Sequence, residues 1–597
     1  MKDQQHSGAE GTTREALQLV LPFFRKYSLR LAGGLFALIS VDLLQLGIPR
    51  FVKGAVDLLH AGKATQHDLV RAALAILLLA VAVGVCRYFW RYLFLGFSRL
   101  MERDLRNDLF GHLVSLDRPF FQKKPVGEVM ALATNDLTAV QLAGGMGLVA
   151  SVDALFMSVA ALACMAYISP RLTLIAVLPM PLLILLTRLL SRRLHRRFLR
   201  VQERFSQLTE FARNAINNIR LLKAYTQEKS QEGRFDRLGR QYMQDNIRLA
   251  MVHGTLFPIS GLIGNISLFL VIVFGGRLVI ADAITVGDFV AFISYLAMLT
   301  WPMMAVGWVA NLFQRGITSL GRLGEVFAAR TALADPAVPL PLPEQFDIRV
   351  QHLDFSYGGP EQRVLRDLSL MIRQGEHVGI VGKSGSGKTT LCHLLARLYP
   401  VRDQEIFLGG VDIKRFSVAA VRSRVAYVPQ DVLLFSDTIA ANISMGRPEA
   451  TSEEIEQAAR LCRIHEEILG FPRGYETRIG ERGVKLSGGQ RQRISLARAI
   501  LLDRPILIID DGLSAVDLET EQQILRGLSS YLAKRTCITV SHRVAPLKEV
   551  SRILVLEEGH LLDEGSHEEL LARSGFYQVM SLQQQPQSHL AENGDAG

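Results

Sequence analysis

Apolar and polar positions divide this chain into two halves with different rhythms. In the first half, six apolar stretches fall at about 29–50, 69–95, 143–168, 172–191, 255–280 and 287–311. Each is near the ~20 residues that carry a helix across a bilayer. The first, third and fifth gaps between them are short, whereas the second and fourth are long, polar and basic. The fourth opens on Arg192-Arg193-Leu194-His195-Arg196-Arg197 and continues to Arg248. Basic connections stay on the cytoplasmic side, so these two gaps and both termini are expected there. Helices this long, flush with the spans, should continue them into the cytoplasm. Ahead of the first span, Thr12 to Glu15 reads as a capping box. It opens a short amphipathic helix with Leu17, Val20, Leu21 and Phe24 on one side, expected on the membrane surface.

The rhythm changes after a linker. Pro336, Pro339, Pro341 and Pro343 break any helix between 329 and 345. From Phe346 onward short strand patterns such as Ile348-Arg349-Val350 alternate with helical ones, which is the signature of an α/β fold. The expected organisation is a tail and surface helix over 1–28 and a helical membrane domain over 29–328. The linker occupies 329–345, an α/β P-loop nucleotide-binding domain 346–582, and a Gln-rich disordered tail 583–597.

Composition agrees with a membrane part joined to a soluble one. The 597 residues are 49% hydrophobic and 21% charged, with a mean hydropathy of +0.21. The formal charge of +10 sits largely in the basic gaps, so it needs no nucleic-acid partner. Cys86, Cys164, Cys392, Cys462 and Cys537 show neither C-x-x-C nor metal spacing, which fits a reduced compartment. No short apolar run with a small-residue cleavage site opens the chain, so a cleaved signal peptide is not expected.

Two stretches in the polar gaps read as bends. One is Asp117-Arg118-Pro119-Phe120-Phe121 with Pro125-Val126-Gly127-Glu128; the other runs from Asn214 to Glu228 and includes Ile216, Ile219, Leu221 and Tyr225. Apolar residues so far from a span imply a docking surface, with the nucleotide-binding domain as the expected partner. Within the spans, Asp42 and Asp153 are ionisable at membrane depth and are functional candidates for that reason, with Asn265 a weaker one. Trp301, Trp308 and Phe313 can line an apolar cavity, and Pro302 is expected to bend the sixth span without breaking it.

The chemistry centres on Gly382-Lys383-Ser384-Gly385-Ser386-Gly387-Lys388-Thr389. An apolar strand pattern precedes it and a helical stretch from Thr390 follows. The glycines let backbone N–H groups turn inward onto a polyphosphate. Lys388 can reach the outer phosphates, and the Thr389 hydroxyl can hold Mg²⁺. The helix that begins there presents its positive end to the same anion. Residues 382–390, Thr390 included, are therefore the expected cradle for ATP or GTP. Ile506-Leu507-Ile508-Ile509-Asp510 is a buried-strand run ending in an acid, suited to share the Mg²⁺ with Thr389. Leu486-Ser487-Gly488-Gly489-Gln490 sets a hydroxyl and glycine N–H groups at a helix start, a second anion site. A second such site in one domain can serve another subunit's nucleotide.

With these motifs in this order, the chain resembles the ATP-binding cassette exporters of the six-span half-transporter type, from the first span to about residue 580. The resemblance implies a role at each matching position. Tyr357 is the aromatic that stacks on adenine, and Gln430, in Val428-Pro429-Gln430, senses Mg²⁺ and the attacking water. Gly480-Glu481-Arg482-Gly483 contacts the cytoplasmic loops, and Ser487, Gly488, Gly489 and Gln490 close over the partner's ATP. Ser514-Ala515-Val516-Asp517 links the two sites, and His542 contacts the γ-phosphate. It also implies ATP with Mg²⁺, a second half-transporter, membrane lipid, and a drug or lipid substrate exported across a bacterial plasma membrane.

One position departs from the pattern. Where the family places Glu after the metal acid, as the base for water, this chain has Asp511. Asp is one methylene shorter, withdrawing the carboxylate by ~1 Å, a displacement that can cost about a hundredfold in rate. Together with Trp301-Pro302, Leu178-Pro179-Met180-Pro181 and Asp510-Asp511-Gly512-Leu513, it resembles a subunit of heterodimeric bacterial multidrug-type exporters. The alternatives are a homodimeric lipid flippase of the lipid A type with Asp511 active, and a regulatory membrane subunit that binds ATP without pumping. A peptide exporter fits the short N-terminal segment poorly, and a soluble cassette ATPase acting on nucleic acid is incompatible with the spans.

Overall fold

The structure is a computed structural model and describes residues 18–358, 362–480 and 484–583. The expectations placed on 1–17, on Glu481-Arg482-Gly483 and on the tail beyond 583 lie outside the described residues. The chain forms two compact units. The described parts of Met1–Ser115 and Lys124–Ala329 make up one, and those of Leu116–Lys123 and Arg330–Gly597 the other.

The described residues of the first unit form helices joined by short turns. Residues 18–26 form a helix that buries Val20 and Phe23, while Leu21 stays about half exposed. Lys26 and Tyr27 tie this entry to Asp104, each at 2.7 Å. Helices Ser28–His60, Gln66–Ser115, Val126–Ile168, Gly261–Ile280 and Val286–Ala328 are long and apolar enough to cross a bilayer. Their hydrophobic faces stay exposed, as lipid-facing residues do. The fourth expected stretch is different: it breaks into Pro170–Val177 and Met180–Asn217. Pro179 and Pro181 remove the N–H donors that would continue the first segment into the second. Ser169 caps the shorter piece by accepting from the Leu172 N–H at 3.3 Å.

Met180–Asn217 and Glu228–Ile280 run well past any span, at 38 and 53 residues. They pack on each other through Phe205 and Tyr242, with ring centroids 5.7 Å apart, and an Arg204–Asp245 ion pair at 3.6 Å. The short helix Ile219–Ala224 joins them. Ile216, Leu221 and Tyr225 stay exposed around it.

The described residues of the second unit form ten strands. They are β1 (Ile348–Ser356), β2 (Arg363–Ile372), β3 (His377–Val381), β4 (Ile406–Leu408), β5 (Val411–Asp412), β6 (Val425–Val428), β7 (Ile506–Asp510), β8 (Thr536–Val540), β9 (Arg552–Glu557) and β10 (His560–Gly565). An antiparallel sheet has the order β2-β1-β4-β5, and a mainly parallel one the order β10-β9-β3-β8-β7-β6. Strands β3, β7 and β8 are buried almost throughout, because a parallel strand is covered on both faces. One core fills the space between the two sheets, and another lies under the helices that follow β6.

The linker expected over 329–345 packs on this unit. Leu340 N–H donates to Arg415 O at 2.9 Å, and Asp335 accepts from Val418 N–H at 2.7 Å. The helix Arg118–Lys123 also belongs here. Arg118 reaches His393 Nε2 at 3.0 Å, and Gln122 Nε2 donates to the Tyr399 hydroxyl at 2.6 Å. Residues 117–121 of the first predicted bend thus cluster with the second unit, while 125–128 cluster with the first.

Candidate functional site

Strand order assembles the site. Strands β3, β8, β7 and β6 are parallel neighbours, so their C-terminal ends share one edge. The phosphate loop follows β3, His542 lies two residues beyond β8, Asp510 closes β7, and Gln430 lies two residues beyond β6. Ligands of open parallel sheets bind at this edge.

The loop's shape depends on glycine at two places. A Cβ on Gly382 would stand 2.2 Å from the Leu556 carbonyl oxygen. Gly387 has φ +98°, and a Cβ there would meet Leu365 Cδ2 at 2.5 Å. Gly387 is the N-cap of helix Lys388–Leu395, so the helix's free N–H groups open into the loop. Lys388 is buried, and its ammonium donates to Gly382 O at 2.9 Å, Lys383 O at 2.7 Å and Ser386 Oγ at 3.3 Å. Burial lowers its pKa, against the nearby charges of Asp510 and Asp511. Lys383 and Ser384 are exposed at the loop's tip, with Lys383 Nζ 3.2 Å from Glu557 Oε1.

Two of the expected metal ligands, Thr389 and Asp510, meet. Thr389 Oγ1 donates to Asp510 Oδ1 at 3.0 Å. The other carboxylate oxygen accepts from the Tyr427 hydroxyl, also at 3.0 Å. Burial raises the Asp510 pKa, and these two hydrogen bonds oppose the shift. A hydroxyl and a carboxylate on adjacent elements suit a hard divalent cation. Sequence reasoning missed Tyr427, which becomes a neighbour of Asp510 only when β6 pairs in parallel with β7. Asp511 has a left-handed backbone, φ 52°. Its N–H donates to Val540 O at 3.0 Å, and its carbonyl accepts from Ser514 N at 3.3 Å and Ser514 Oγ at 3.0 Å. The root of this side chain is therefore fixed on both sides.

Tyr357 lies against Thr390, its hydroxyl 3.0 Å from Thr390 Oγ1. Tyr399 meets it edge to face with ring centroids 5.0 Å apart. About half of Tyr357 remains exposed for a planar ligand. Gln430 is exposed and His542 half-buried. Ser487, Gly488, Gly489 and Gln490 begin the helix Gly488–Leu501. Ser487 Oγ accepts from Gln490 N–H at 3.2 Å, while Gln490 Oε1 accepts from Ser487 N–H at 2.8 Å, a capping box. Gln492, one turn on, bonds Ser514 Oγ at 3.1 Å and Ala515 N at 2.8 Å. Arg543 Nη2 reaches Ser514 O at 2.7 Å. The helix start is thus fastened to the loop after Asp511, a connection that no local pattern announced.

Residues 31–303 match the ABC transporter transmembrane region family, and 365–514 match the ABC transporter family. The chain is 36% identical over 576 residues to the probable multidrug resistance ABC transporter ATP-binding/permease protein YheI of Bacillus subtilis strain 168. That alignment covers 96% of this chain and 98% of the relative. The chain belongs to the ABC transporter family. This ABC transporter is also 35% identical over 570 residues to the multidrug resistance-like ATP-binding protein MdlA of Escherichia coli strain K12, covering 95% and 96% of the two chains. Its fold matches a bacterial Atm1-family ABC exporter solved with ATP bound, with TM-score 0.78 and 27% identity over 95% of this chain and 99% of that one. The nucleotide-binding unit is accordingly an ATPase coupled to transport, joined to a helical transmembrane domain.

Proposed function

We propose that this chain is one half of a dimeric exporter that moves hydrophobic or amphipathic compounds out across a bacterial plasma membrane. In this reading its own hydrolytic site is the weaker of two, and its partner is a different half-transporter with Glu after its metal acid. The observation that carries the reading is Asp511 standing in an otherwise complete set of site residues.

The roles follow from chemistry and position. Residues 382–390 cradle the triphosphate, with Lys388 on its outer phosphates. Thr389, Asp510 and Gln430 would hold a Mg²⁺, which would supply charge neutralisation for phosphoryl transfer. Asp511 is the base for water, and His542 contacts the γ-phosphate. Tyr357 stacks on adenine. Ser487, Gly488, Gly489 and Gln490 present a helix N-terminus to the nucleotide held by the partner. Binding of ATP between the two halves turns the membrane cavity outward, and hydrolysis resets it. The exposed Ile219–Ala224 segment is the second docking surface in this scheme.

The test is ATP hydrolysis in lipid vesicles by the chain alone and after co-reconstitution with a Glu-bearing half-transporter from the same genome. The expected result is near-background turnover alone and strong turnover, with ATP-driven dye accumulation, in the mixture. Full turnover and transport by the chain alone would sink the heterodimer reading in favour of a homodimeric exporter.

A further inference from the structure

The helix Gly488–Leu501 opens on the second anion site, and its first turn is held from outside. Gly488 and Gly489 stand in that turn, where N–H groups have no acceptor within the helix. Ser487 Oγ accepts from the Gln490 N–H, and its own hydrogen has no acceptor among the described residues. Three donors are thus left for an anion, as long as Gln490 keeps its Oε1 on the Ser487 N–H at 2.8 Å. A side-chain amide can lie either way round. Glu467 decides which: Gln490 Nε2 donates to Glu467 Oε2 at 2.8 Å. Turned over, the amide would set its NH₂ against the Ser487 N–H and its oxygen against a carboxylate.

Glu467 is itself fixed without help from Gln490. It lies on helix His465–Leu469, which is rooted in the core by Ile464 and Ile468, both fully buried. His465 Nδ1, 2.8 Å from the Tyr475 hydroxyl, anchors the same helix. Arg493 stands one turn beyond Gln490 on the same face, and its side chain is only 11% exposed. Its Nη1 lies 2.7 Å from Glu467 Oε1 and donates to Arg463 O, also at 2.7 Å. A lone carboxylate beside a helix start would repel an incoming phosphate; this guanidinium offsets its charge. Among the described residues, no hydrogen bond or ion pair joins Glu467 to residues 382–390. Its influence therefore runs to the Ser487–Gln490 site and not to the chain's own phosphate loop.

We propose that Glu467 is a positioning residue for ATP turnover. Through the Gln490 amide it keeps the Ser487, Gly488 and Gly489 donors aimed at the terminal phosphates of the nucleotide this site closes over. The inference rests on the dimeric reading and adds a residue that the motif does not contain, 23 positions ahead of Gln490.

The test is steady-state ATP hydrolysis in lipid by whichever assembly turns over, the chain with its Glu-bearing partner or two copies of the chain. A charge-assisted hydrogen bond corresponds to about tenfold or more in affinity. Glu467→Ala should thus raise KM for ATP about tenfold while kcat changes by less than about twofold, the mark of lost binding rather than lost chemistry. Gln490→Ala removes the amide that Glu467 holds. The double variant should be no worse than Gln490→Ala alone, because the two side chains act as one unit, whereas a merely structural loss would add. If Glu467→Ala does not fold, Glu467→Gln, which removes the charge at nearly the same shape, is put through the same cycle. An unchanged KM, a fall in kcat alone, or losses that add in the double variant overturn the inference and leave the exporter reading standing. Full turnover by the chain alone removes only the heterodimer reading, since the same KM shift is expected between two copies. A Gln490→Ala variant with the parent's KM removes the reading that this site meets nucleotide, and the inference with it.

Discussion

The substitution Asp511→Glu returns one methylene to a side chain whose root cannot move. The Asp511 N–H is held by Val540 O at 3.0 Å and its carbonyl by Ser514, so the backbone does not advance to make up the missing reach. Restoring ~1 Å of reach toward the attacking water should raise turnover about a hundredfold, which is about 2.7 kcal/mol of barrier. The same substitution has a cost. At φ 52° the backbone is left-handed, a region that suits Asp better than Glu by up to about 1 kcal/mol. Activity and stability should therefore move in opposite directions. The assay is steady-state phosphate release by the purified chain in lipid, with thermal unfolding measured on the same samples. A parent that hydrolyses ATP as fast as the variant would refute the reasoning, because Asp511 would then already reach the water.

Three further outcomes follow from the geometry. Lys388→Ala removes a buried ammonium from the loop and should weaken binding of a fluorescent ATP analogue by about ten- to a hundredfold, with little change in unfolding temperature. Gly382→Ala drives a Cβ to 2.2 Å from Leu556 O, so nucleotide binding should be lost together with several degrees of thermal stability. Burial pushes the pKa values of His377 and His393 down to about 4, so both stay neutral in the folded unit. Below about pH 6.5 the unfolded chain takes up protons that the folded one refuses. Stability should therefore fall on acidification, by about 2 kcal/mol apiece by pH 5, and stay flat above pH 7 as far as these groups are concerned. His393→Gln should remove its share of the slope, as read by circular dichroism melts at pH 7 and pH 5; an unchanged slope counts against its burial as the cause.

What the sequence determined by itself was whatever depends on neighbours in the chain. Hydrophobic runs of span length, the prolines at 336–343 and the loop from Gly382 to Thr389 are local patterns; most of the runs emerge as long apolar helices, the proline stretch carries no helix, and the loop leads from β3 into a helix. The same local reading ran 172–191 as one helix, because its hydrophobicity is continuous; the structure breaks it at Leu178 and Pro179, where the backbone donors end. Tertiary structure decided the rest. Tyr427 meets Asp510 across 83 residues, and Arg118 meets His393 across 275. Neither pairing exists until β6 lies beside β7 and Arg118–Lys123 settles on the nucleotide-binding unit. Asp42 could be found in the sequence as a charge within an apolar run. That it lies buried beside Asp153 and three indoles is a property of helices packed side by side, which no periodicity along a single helix contains.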